Sequence, residues 1–105
     1  MYQLILCTCP DAASADMLAR ALITRKLAAC VNILPGIRSI YAWQGEIETA
    51  QEHLLLIKSH QDRYAAIEDT LKSLHPYQLP EIIAVALERG SLEYLKWIDS
   101  CLVID

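Results

Sequence analysis

Residues 27–59 read LAACVNILPGIRSIYAWQGEIETAQEHLLLIKS, and this stretch decides the fold. Gln44-Gly45 marks a short turn with a long run on either side. After it, Ile47, Thr49, Gln51, His53, Leu55 and Ile57 fall on alternate positions and share one face of a single strand over 46–59. Polar residues crowd the first half of that strand and apolar ones the second. Such a division suits a hairpin whose base lies in a core and whose tip projects away from it. Before the turn, Leu27–Leu34 reads as a strand that Pro35-Gly36 interrupts and Ile37–Trp43 resumes. One long strand with a bend or bulge fits that pattern.

Outward from the hairpin, residues 2–9 read as a largely buried strand, and Pro10-Asp11 ends it and offers a helix cap. Ala15, Leu18, Ala19, Leu22 and Ile23 recur at helical spacing within 12–26. A second helix over 62–74 carries Tyr64, Ile67, Leu71 and Leu74 at spacings of three and four. The loop 75–80 follows, then a nearly all-apolar run over 81–88, whose composition predicts a central strand. Ser91 caps a third helix bearing Leu92, Leu95 and Ile98. The order is β-α-β-β-α-β with an extra C-terminal helix. This is an α+β chain on the ferredoxin-like plan, a four-stranded antiparallel sheet with helices on one face, and 1–105 forms a single domain.

Composition excludes several classes of function. Acidic residues number 13 against 9 basic, a net charge of -4, and no basic stripe marks a nucleic-acid binder. Arg20, Arg25 and Lys26 are the densest cations, and they fall near a helix end where the macrodipole favours them. No apolar run is long enough to span a membrane. Met1–Leu6 lacks the charged start of a secretory signal, so a cytoplasmic location with reduced thiols is the expectation for Cys7, Cys9, Cys30 and Cys101. Their spacing matches no paired zinc template. No Ser-His-Asp set, H-E-x-x-H motif or glycine-rich phosphate loop is present, so the chain reads as a binding protein and not an enzyme.

The hairpin predicts self-association. Strands of about 14 residues at roughly 3.3 Å each reach some 45 Å, against a radius of gyration of about 13 Å for a domain of this length. The outer part, with Ile37, Ile40, Tyr41 and Trp43, cannot rest on its own two helices. Burying such side chains is worth about 1.5–3 kcal/mol each. A closed ring of identical chains does so without leaving sticky edges.

Several blocks resemble one family. Leu6–Asp11 (LCTCPD), Lys26–Gly36 (KLAACVNILPG), Ser39–Gly45 (SIYAWQG), His75–Ile82 (HPYQLPEI) and Tyr94–Ile98 (YLKWI) stand in the order found in the CutA divalent-cation tolerance family. The resemblance covers almost the whole chain. It implies ferredoxin-like subunits joined as a homotrimer through long hairpins, with Ile40, Tyr41 and Trp43 at the interface. It also implies a cytoplasmic role in tolerance of divalent metals, copper among them, and no established enzyme activity.

The resemblance further implies candidate sites. Cys7 matches a family cysteine associated with copper, and His75 matches a histidine of the same metal site. Thiolate and imidazole both suit copper. A buried cysteine as a small hydrophobe, and a histidine ending a helix, are the competing readings. Some family members carry two adjacent histidines where this chain has Leu74-His75, so one ligand is missing. Lys58, Tyr77 and Glu81 match polar positions lining a cleft between subunits. There they would hold a small anion or zwitterion, or form an ion pair across subunits with no ligand. Three functions follow as expectations: a metal-binding trimer of metal homeostasis, a PII-like signalling trimer with a small ligand in its clefts, and a scaffold anchoring another protein.

Overall fold

The computed structural model describes residues 1–102. Four strands, β1 (Tyr2–Cys9), β2 (Cys30–Trp43), β3 (Glu46–His60) and β4 (Ile83–Ala86), form one antiparallel sheet in the order β2-β3-β1-β4. Helices α1 (Ala12–Thr24), α2 (Tyr64–Leu74) and α3 (Leu92–Leu102) complete the α+β fold among the described residues. A single 3-10 turn, Gln61–Arg63, leads into α2, so that helix begins at Tyr64 and not at Asp62.

The period-two reading of β3 holds. Leu55 and Ile57 face the helices beside Cys7 and Ile5, their register partners on β1. Against them pack Ala15, Leu18 and Leu22 of α1 with Ile67 and Leu71 of α2, all fully buried. Asp11 caps α1 by accepting the Ser14 N–H at 2.7 Å. That helix ends at Thr24, two residues short of the expected Lys26. Lys26 adopts φ +57°, and the Leu27 N–H turns back onto the Leu22 carbonyl at 2.9 Å. The reversal takes up 25–29, so β2 begins at Cys30 and not at Leu27. Ser59, fully buried at the base, donates to the Leu27 carbonyl at 2.6 Å and fixes this corner to β3.

The expected bulge is present. Leu34 pairs with Leu54 and Ile37 with Glu52, so Pro35 and Gly36 together oppose His53. Side chains alternate across a strand, so the extra residue exchanges the faces of β2. Before the bulge the even positions share the face of Leu54 and Leu56. Beyond it the odd positions Ile37, Ser39, Tyr41 and Trp43 take that face, opposite Glu52, Ala50, Glu48 and Glu46. Ile40 consequently lies on the opposite face from Tyr41 and Trp43. The hairpin makes the molecule long, with extents of 45 × 26 × 22 Å.

One expectation is overturned. The apolar run 81–88 is not a central strand: β4 is four residues long, pairs only with β1 and forms an edge of the sheet. Ile83 and Val85 remain 52% and 50% exposed. Composition signalled burial that one chain does not provide. The sheet face away from α1 and α2 carries Leu4, Leu6, Leu54 and Leu56, none of them fully buried, beside exposed Leu34, Ile83 and Val85. Two parts of that face are covered, one by the Tyr77 side chain, which bonds Glu52, and the other at the end of the sheet near Tyr2. There α3 lies against it, with Tyr2 donating to Asp99 at 2.6 Å and the Lys58 ammonium 5.7 Å from the Tyr94 ring centroid.

Candidate functional site

Strand β4 reaches only from Ile83 to Ala86 and pairs with Leu6 to Gln3 of β1. The Thr8 carbonyl, beyond that reach, takes its hydrogen bond elsewhere. His75, at the end of α2, donates to it through Nε2 at 2.8 Å. The Tyr77 backbone N–H donates to His75 Nδ1 at 3.0 Å, which places the ring proton on Nε2. Both ring nitrogens are thus engaged, and the ring stacks at a tilt on Tyr77, 4.8 Å between centroids. The His75–Tyr77 turn sets the course of the loop that follows.

That loop places Tyr77 over the open sheet face. Its hydroxyl donates to Glu52 Oε2 at 2.6 Å. Burial and the neighbouring Glu52 carboxylate raise the Tyr77 pKa well above that of an ordinary phenol, so the group stays protonated. Glu52 is only 8% exposed. Its second oxygen makes no hydrogen bond, and the carboxylate pairs with no basic side chain, among the described residues. The hairpin and the 76–81 segment enclose a cleft of about 680 Å³, bordered by Thr8, Tyr41, Trp43, Glu52, Tyr77 and Glu81.

Of the residues singled out in the sequence, Tyr77 and Glu81 meet in this cleft, joined by Tyr41, Trp43 and Ile40 from the hairpin. Lys58 does not join them within one chain. It sits six positions along β3 from Glu52, about 20 Å at the usual strand rise. It faces Tyr94 instead. Sequence reasoning passed over Glu52. The signal was available: Glu52 shares the alternation of Leu54 and Leu56, so it had to project from the sheet face opposite the core.

Cys7 and His75 lie close together, because the Cys7 thiol also points at the Thr8 carbonyl, at 3.8 Å. Their chemistry there is that of proton donors. Cys7 is fully buried. Burial first, then the nearby Cys9, Glu81 and Glu52, pushes its pKa up to about 12. Cys9 is pushed up to about 11 by burial and by the charges of Asp11 and Glu52. A copper site needs thiolate and a free imidazole lone pair. As folded, Cys7 and His75 provide neither, and no group of three His, Cys, Asp or Glu side chains is placed to hold a metal among the described residues. The residues do not fit a copper centre in this arrangement.

Comparison with known proteins gives a consistent picture. The family pattern described as CutA1 divalent ion tolerance protein matches residues 3–101. The chain is similar to the divalent-cation tolerance protein CutA of Thermus thermophilus, 45% identical over 93% of this chain and 95% of that one. Human protein CutA is 44% identical over 87% of this chain, which spans 51% of the human length. Among solved structures, CutA from Xylella fastidiosa superposes with a TM-score of 0.94 at 49% identity, covering 97% of this chain and 98% of that one. The periplasmic divalent cation tolerance protein CutA of Archaeoglobus fulgidus reaches 0.96 at 40% identity, covering 98% and 100%.

Proposed function

The chain belongs to the CutA1 divalent ion tolerance family, and we propose that it serves that role as a homotrimer which acts by binding a small ligand in its clefts and not by catalysis. The observation that carries this reading is the uncovered apolar surface. Ile83 and Val85 on the β4 edge, Leu34 on β2 at the opposite edge, and Tyr41 and Trp43 along the hairpin occupy one face of one sheet, all 41–52% exposed. Burying a large apolar side chain is worth about 1.5–3 kcal/mol. A second copy supplies that burial and also satisfies the open strand edges of β2 and β4. Three copies about one axis use the same patches without growing into a fibre.

The metal side of the role is better served by the whole assembly, or by a rearranged Cys7–His75 pair, than by the pair as folded. The cleft at Glu52 favours the small-ligand reading over the scaffold, because it is concave and of small-molecule size. Unpaired thiols at Cys7, Cys9, Cys30 and Cys101 accord with a reducing, cytoplasmic setting. Native mass spectrometry of protein purified without added metal tests the assembly and the bound state together. The expected species is three 11.8 kDa chains carrying excess mass from a small ligand. Bare single chains contradict both parts. Titration of that species with Cu(I) and Cu(II) tests the metal: binding unchanged by Cys7→Ala with His75→Ala removes those two residues from it.

A further inference from the structure

Two charges of opposite sign stand unpaired on the sheet face that one chain leaves open. Glu52 is nine-tenths buried beneath the neutral Tyr77 hydroxyl and has no basic partner among the described residues. Lys58, six positions along β3, projects from the same face. Its ammonium makes no ion pair among the described residues and only faces the Tyr94 ring. Buried charges are ordinarily paired. These two cannot answer each other within a chain, because six strand residues hold them about 20 Å apart.

Their places on the strand let them meet between chains. Glu52 stands opposite Ile37, the first residue past the bulge, where the hairpin begins to leave its own helices. Lys58 stands opposite Leu4 and Cys30, at the base of the sheet. A hairpin that outruns its own body lies over the body of another copy, and the acidic end of one face then meets the basic end of the other. Lys58 is the one Lys or Arg that any strand carries on that face. Arg38, past the bulge, projects from the opposite face. We propose that Glu52 of each subunit takes Lys58 of the partner subunit as its counterion, so that the cleft beneath Tyr77 is complete only in the assembly. Each copy then receives an ammonium from one neighbour and gives its own to the other, a head-to-tail contact that closes in a ring. A ligand in the cleft meets that ammonium beside the Glu81 carboxylate. The proposal rests on the homotrimer reading and names the polar contact that sets how its subunits sit.

A double-mutant cycle on subunit dissociation, read by sedimentation of the full chain on dilution, tests the pair. Glu52→Gln and Lys58→Met are each expected to raise the dissociation constant about tenfold or more. Combined, they are expected to cost clearly less than the sum, because either change alone already breaks the contact. Carbodiimide, which joins a carboxylate to an amine in contact with it, gives a second reading on the unaltered assembly. With isotope-labelled and plain chains mixed, peptides linked through Glu52 and Lys58 should include pairs of one labelled and one plain chain. Coupling in the cycle or such a link supports the proposal. Additive effects without a link overturn it, and so does unchanged dissociation in both single variants; in either case a wild-type trimer leaves the assembly standing. A link from Glu52 to Arg38, Arg89 or Lys96 overturns the choice of Lys58. A wild-type chain that sediments as a single copy removes the assembly and the pair together, so the two failures are distinct.

Discussion

His75 does two jobs with one ring, donating to the Thr8 carbonyl and accepting the Tyr77 N–H. Each such bond contributes about 1 kcal/mol, and a stranded buried carbonyl costs more than a lost bond. His75→Ala is expected to lower unfolding stability by about 2–3 kcal/mol in denaturant titration, and to broaden the Tyr77 resonances. A change below about 0.5 kcal/mol is the range of a surface position and would leave His75 without this structural role. Cys7 and Cys9 give a second prediction. Their folded pKa values, about 12 and about 11, lie above the ordinary thiol value of 9.0. An unfolded chain releases those protons first, so the stabilisation is complete below about pH 9 and is lost as pH rises toward 11–12. Unfolding at a series of alkaline pH values should show a loss of roughly a few kcal/mol, relieved by Cys7→Ala after allowance for its cavity. At neutral pH the same two thiols should resist alkylation in the native protein while Cys30 and Cys101, each partly exposed, react. At this scale the sequence named Cys7, His75, Tyr77 and Glu81, but not Glu52. The family resemblance identifies a residue by its place in a motif; it does not show which neighbour closes over another residue, and the phenol that covers Glu52 comes from 25 positions away.

At the scale of elements, the hairpin turn is the most legible feature and the most exacting. Gln44 and Gly45 both have positive φ, +50° and +81°. Two consecutive residues of that kind match the twist of the flanking strands. A side chain with a Cβ in that region costs roughly 1–2 kcal/mol. Gly45→Ala should destabilise by about that much in thermal unfolding, although open space surrounds its Cα. Gln44→Gly should offset part of the loss, and an unchanged melting temperature in Gly45→Ala would contradict the turn assignment. Periodicity located β1, β3 and all three helices, because each buries one face, α1 and α2 on one side of the sheet and α3 on the other. It misjudged β4 for a physical reason. An apolar run records that side chains are buried somewhere, not by which chain, and at Ile83 and Val85 this chain leaves them half exposed. The ends of α1 and β2 were misplaced because Lys26 holds a left-handed conformation that residue type alone does not announce.

Over the whole molecule, the hairpin draws the chain out to 45 Å along one axis against 26 and 22 Å along the other two. Ile47, near the tip, is 82% exposed and Ile40 66%. Those figures agree with the sequence argument that the hairpin outruns its own helices. The remaining step, that other copies cover it, belongs to the assembly. Val85→Lys places a charge on the β4 edge without touching the α1–α2 core, and it should shift the population toward single chains while the helical circular dichroism is retained. The most direct measurement is equilibrium sedimentation of the unaltered chain at micromolar concentration. A single species of three 11.8 kDa chains is the predicted result; a stable, monodisperse 11.8 kDa particle contradicts it.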